Sequence, residues 1–68
     1  MPKDDREAVR LFQLAADQGS AAGQANLGLA YLGGLGGLLK DERAAVRLFK
    51  LSADQGNSRG RANLGFAY

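Results

Sequence analysis

Apolar side chains recur with helical spacing from the start of the chain. Ala8, Leu11, Phe12, Ala15 and Ala16 fall at i, i+3, i+4, i+7 and i+8, so they gather into one stripe and predict a helix over about Asp5 to Gln18. Asp4 with Glu7 three residues later forms a capping-box-like pair whose carboxylates suit the positive end of the helix dipole. Gly19 stops this helix, because glycine adopts the left-handed conformation that closes one. Ser20 offers an N-cap hydroxyl for a second helix reaching about Leu32, with Leu27, Gly28 and Tyr31 on one side. The segment Gly33-Gly34-Leu35-Gly36-Gly37 breaks the pattern, since each glycine costs a helix roughly 1 kcal/mol relative to alanine. Lys40 or Asp41 restarts it, giving a third helix over about Glu42 to Gln55 with Ala45, Leu48, Phe49, Ser52 and Ala53 as its stripe. Gly56 closes that helix, and Asn57 caps a fourth running to Tyr68. The expected architecture is all-α: four short antiparallel helices, with tight turns inside each pair and a glycine loop between the pairs.

The pattern is also a repeat. Residues 1–31 return at 38–68, a shift of 37 positions, with 20 of the 31 aligned pairs identical. Asp4-Asp5-Arg6-Glu7-Ala8-Val9-Arg10-Leu11-Phe12 becomes Asp41-Glu42-Arg43-Ala44-Ala45-Val46-Arg47-Leu48-Phe49, and Ala25-Asn26-Leu27-Gly28 becomes Ala62-Asn63-Leu64-Gly65. A period of this size marks stacked helical solenoids, in which each unit buries its apolar face against the next. Gly28 and Gly65 lie inside helical patterns, where close approach of a neighbouring helix would offset their entropic cost; a functional kink is the alternative.

Composition narrows the chemistry. The 68-residue chain has no cysteine and no histidine, which excludes disulfides, zinc fingers, thiol nucleophiles and imidazole bases. The nearly apolar run from Ala30 to Leu39 holds four glycines and is half the length a bilayer demands, so neither a membrane span nor a signal peptide is expected. Net charge is +2, with three basic and four acidic groups in the first 37 residues and six basic and three acidic in the remainder. A nucleic-acid surface usually shows a dense Lys/Arg stripe with aromatic stacking residues, whereas Arg43, Arg47 and Lys50 share their helix with acidic neighbours, which argues against one.

Nor does the glycine loop bind nucleotide. Gly36-Gly37 is followed by Leu38-Leu39-Lys40-Asp41 in place of the Gly-Lys-Ser/Thr of a phosphate loop, and Leu39 occupies the third glycine of a dinucleotide fingerprint. The pairs Asp4/Asp5 and Asp41/Glu42 stand at helix starts, where capping accounts for them without a metal or acid–base role. Ser20, Ser52 and Ser58 have no basic partner at a catalytic spacing. No catalytic, cofactor or metal residue is assigned.

The segment Leu27-Gly28-Leu29-Ala30-Tyr31-Leu32-Gly33-Gly34-Leu35-Gly36, followed by Asp41, Ala45 and Ser52-Ala53-Asp54-Gln55-Gly56, resembles the Sel-one-like repeat family, a branch of the tetratricopeptide-related helical repeats. The resemblance covers nearly the whole chain and implies a right-handed α–α superhelix. An ordinary tetratricopeptide repeat has a period of about 34 residues and a proline near the end of its second helix, where this chain has a longer period and glycine. Gly37 adds one residue to the family's usual unit, and Gly23 and Gly60 stand where the family has alanine, which predicts weak starts for the second and fourth helices. In the family's register the single helical-repeat domain divides into a half unit at 1–19, a full unit at 20–56 and a half unit at 57–68.

The resemblance implies a protein-interaction or adaptor module without catalysis, recognising a peptide or protein partner and no nucleic acid or membrane. If Leu27, Gly28 and Tyr31 face the core, the wheel places Ala22, Asn26 and Leu29 on the other side, and their copies are Arg59, Asn63 and Phe66. An Asn26/Asn63 ladder beside Leu29 and Phe66 is the candidate surface, because asparagine both donates to and accepts from a peptide backbone. The competing expectation is a self-associating structural solenoid, since Leu64, Phe66 and Tyr68 have no following helix to cover them. Cysteine-free composition without a leader fits a cytoplasmic location.

Overall fold

The computed structural model of the chain describes residues 5–67, and for Arg59, Phe66 and Ala67 the backbone only. Four helices follow one another: α1 (Asp5–Asp17), α2 (Ala21–Gly33), α3 (Glu42–Asp54) and α4 (Ser58–Ala67). No strand occurs among the described residues. The boundaries lie within about one residue of those the sequence pattern predicts; the expected cap at Asp4 and the terminal Tyr68 lie outside the described residues.

Local chemistry sets each helix end. The Ser20 hydroxyl accepts from the Gly23 N–H at 3.1 Å, Asp41 Oδ1 accepts from the Ala44 N–H at 3.0 Å, and Asn57 Oδ1 accepts from the Gly60 N–H at 2.9 Å. Each satisfies one orphan donor of a helix start. The three helix exits share one geometry. Gly19, Gly34 and Gly56 sit at φ of 84°, 64° and 82°, and the residue after each donates back five positions: Ser20 to Ala15, Leu35 to Ala30 and Asn57 to Ser52. This is the Schellman closure, and only glycine enters it without Cβ strain.

Adjacent helices pack antiparallel, α1 on α2, α2 on α3 and α3 on α4, and α2 also reaches α4. Helix α1 has no close backbone contact with α3 or α4. Alternate helices therefore differ: α2 and α4 form a closely spaced layer, while α1 and α3 stand apart. The core begins with Val9, Leu27 and Ala30, against which Phe12, Ala16, Tyr31, Leu38 and Leu48 pack. It continues through Ala25, Ala45 and Phe49 between α2 and α3.

Three expectations are corrected by the packing. In α1 the predicted stripe included Leu11, which is 53% exposed, and omitted Val9, which is 5% exposed. Val9 is buried because the glycine loop folds back across the start of α1: a Cβ on Gly36 would lie 2.7 Å from Val9 Cγ2 and 2.5 Å from the Asp5 carbonyl oxygen. Leu11 is exposed because no helix among the described residues packs on the side of α1 away from α2. Gly28 does admit a close neighbour, since its absent Cβ would sit 2.5 Å from Phe49 Cε1, but a Cβ on Gly65 would meet nothing within 4 Å among the described residues. Gly23 and Gly60, expected only to weaken helix starts, are points of close approach. A Cβ at Gly23 would lie 2.8 Å from the Ala16 nitrogen, and one at Gly60 2.5 Å from Ser52 Oγ. The propensity lost there is offset by tighter packing inside each helical pair.

Candidate interaction surface

The α2–α3 contact is the most extensive in the molecule and has three kinds of bond. At its centre Phe49, fully buried, lies against Gly28. Toward the start of α2, Ser52 Oγ donates to the Ala21 carbonyl at 2.8 Å. Beside it Gln55 Nε2 donates to Gln24 Oε1 at 2.8 Å. Ser52 and Gln24 are both buried, so these bonds leave their polar groups satisfied away from water.

At the other end the two helices part. Leu27 and Tyr31 of α2, with Ala44, Arg47 and Leu48 of α3, line an open hollow of roughly 200 Å³. Its walls are apolar, and Arg47 is its one charged lining residue. The repeat shows how this hollow arises. Ala44 and Arg47 are the copies of Glu7 and Arg10. In α1 the Glu7 carboxylate receives the Arg10 guanidinium at 2.6 Å, and this hydrogen bond together with the negative charge raises the Arg10 pKa above its ordinary value. In α3 the acid is replaced by a methyl group, so Arg47 is exposed and has no ion-pair partner among the described residues. Sequence reading missed this pair; the signal was the loss of the acid at position 44, one of two positions, with Gln13/Lys50, at which the α1 and α3 patterns disagree in charge.

The surface inferred from the helical wheel is distributed as follows. Leu29 is 39% exposed and shares the outward stripe of α2 with exposed Ala22. Asn26 is partly buried and already engaged by the fold. Asn63 is partly buried, and its Nδ2 is enclosed without a hydrogen-bond partner among the described residues. The Arg59 and Phe66 side chains lie outside the description. Among the described residues no group of three or more Asp and Glu side chains is placed to hold a metal ion, and no helix is long and apolar enough to cross a membrane.

Capped helical pairs repeating along the chain and stacking through one shared interface define an α-helical repeat protein. Its family follows from direct comparison: the Sel1 repeat model matches residues 1–20 and 21–57, and the chain belongs to the Sel1 repeat family. Comparison with curated proteins and with solved structures found no match. Sel1 repeats generally mediate protein–protein interaction.

Proposed function

We infer that this chain is a protein-interaction module that binds a peptide segment at the α2–α3 hollow, and that the segment places an apolar side chain next to a carboxylate. The observation that carries this reading is the replacement of Glu7 by Ala44 in the second copy. It removes the acid that holds Arg10 and leaves Arg47 without an ion-pair partner among the described residues, beside the apolar walls of Leu27, Leu48 and Tyr31. An apolar side chain entering the hollow gains burial, while a carboxylate on Arg47 gains a charge-assisted hydrogen bond and selects the partner. Recognition requires no chemistry, and none of the polar groups around the hollow is arranged as a nucleophile with its base.

The stripe containing Leu29 is the second candidate surface, favoured by the exposure of that side chain at the outward face of α2. Its asparagines are less available, since Asn26 is engaged and the Asn63 amide nitrogen is enclosed.

Fluorescence anisotropy tests the hollow, using labelled peptides in which leucine or phenylalanine is flanked by glutamate, with glutamine-flanked controls. Ala44→Glu restores to Arg47 the partner that Arg10 has, and should weaken binding about tenfold, the loss of one charge-assisted contact. Equal binding of the glutamine peptides, or binding unaffected by Ala44→Glu, would overturn the assignment.

A further inference from the structure

Helices α4 and α1 carry copies of the two faces that meet in the α2–α3 contact. In the α2–α3 contact, α2 contributes Gln24, Ala25 and Gly28, all buried. Helix α3 contributes Ala45, Phe49 and Ser52, all fully buried, with Leu48 partly buried beside them. The copies of the α2 set are Arg61, Ala62 and Gly65 in α4, and all three are exposed. The copies of the α3 set are Ala8, Leu11, Phe12 and Ala15 in α1; Leu11 is exposed and the other three only partly buried. Phe12 packs against the Val9, Leu27 and Ala30 cluster but, among the described residues, has no second helix over it of the kind that encloses Phe49.

We propose that a second copy of this chain docks its α1 on α4, reproducing the α2–α3 contact between molecules. The second copy's Phe12 rests on Gly65 as Phe49 rests on Gly28, and its Leu11 covers Leu64 as Leu48 covers the Leu27 cluster. The fit is specific because a Cβ on Gly65 would have no neighbour within 4 Å among the described residues, whereas the same atom on Gly28 would stand 2.5 Å from a ring carbon. Two features differ from the internal contact. Ala15 replaces Ser52, so no hydroxyl reaches the carbonyl of Ser58, the copy of Ala21; and Arg61 replaces Gln24 opposite the second copy's Gln18, which can accept from the guanidinium. Both weaken or retune the contact relative to the internal one. Because unlike faces meet, the association is head-to-tail and leaves one face of each kind open at its ends.

Analytical ultracentrifugation over a micromolar-to-millimolar series, with circular dichroism on the same samples, tests this. Wild type should form an open, concentration-dependent series. Gly65→Ala removes the bare site without touching the monomer's packing, so it should remain helical and associate at least about tenfold more weakly. Leu11→Lys, at an exposed position, should do the same from the other face. Mixing the two variants should give a one-to-one dimer that grows no further, because each retains the face the other lacks. Wild type that remains monomeric throughout, Gly65→Ala that assembles undiminished, or variants that do not complement one another would each overturn the proposal. A closed dimer insensitive to Gly65→Ala would instead be helix exchange, and would overturn it too.

Discussion

Ala25-Asn26-Leu27-Gly28 in α2 and Ala62-Asn63-Leu64-Gly65 in α4 are the same four residues in the same register, and they occupy different environments. Ala25 and Gly28 are buried beneath α3; Ala62 and Gly65 are exposed. The same division separates α3 from α1, where Phe49 is enclosed and Phe12 is not. Identical side chains therefore contribute differently to stability according to which neighbouring helix is present. In a stacked repeat the free energy lies largely in the contact between units, and residues at its two faces gain little until they are covered.

Removing the central ring breaks the comparison most severely. Phe49→Ala leaves a cavity at a fully buried site and should cost about 3–5 kcal/mol, whereas Phe12→Ala should cost roughly half as much. Urea denaturation followed by circular dichroism measures both, and equal losses would show that the two copies are covered alike. For a chain of this size the larger loss is comparable with total stability, so Phe49→Ala should be largely unfolded without denaturant.

The two glycines should separate by sign. Gly28→Ala forces a methyl group into the Phe49 ring and should destabilise by roughly 1–3 kcal/mol. Gly65→Ala meets nothing among the described residues and should be neutral or stabilising by up to about 1 kcal/mol, the gain in helix propensity. Thermal melts at low protein concentration would read both shifts. A stabilising Gly28→Ala would mean that Phe49 yields readily and that the close approach is incidental.

Ser52→Ala gives the smallest effect. It converts α3 to the residue that α1 has at the same position and removes the hydrogen bond to the Ala21 carbonyl, for an expected loss of about 0.5–1.5 kcal/mol in the same denaturation measurement. The Ala21 carbonyl keeps its place in the α2 ladder, so no buried acceptor is stranded. By contrast the Glu7–Arg10 pair is exposed, and pairs of this kind contribute little to folding.

Helix positions were legible in the sequence because their signals are local. Ser20, Asp41 and Asn57 cap, and Gly19 and Gly56 close, through bonds that span at most five residues. The α3 stripe was legible too, since helical spacing alone gathers Ala45, Leu48, Phe49 and Ser52. Applied to α1, the same spacing selected Leu11 and passed over Val9. The decisive neighbours are the glycine loop, which covers Val9, and a packed helix, which α1 has on one side only. The role of Gly23 and Gly60 was hidden for the same reason: propensity registers only what a glycine costs its own helix, while the benefit lies in the helix opposite.

The sequence by itself determined the repeat, the four helices with their caps and closures, and the family to which they belong, because periodicity and capping are properties of short stretches of chain. Only the tertiary structure decided which copy of each residue is covered, why Gly28 is filled while Gly65 has no neighbour among the described residues, and that Arg47, with no ion-pair partner among them, stands beside an apolar hollow. Burial and ion pairing depend on groups brought together from distant positions, and two segments of the same sequence differ in both when their neighbours differ.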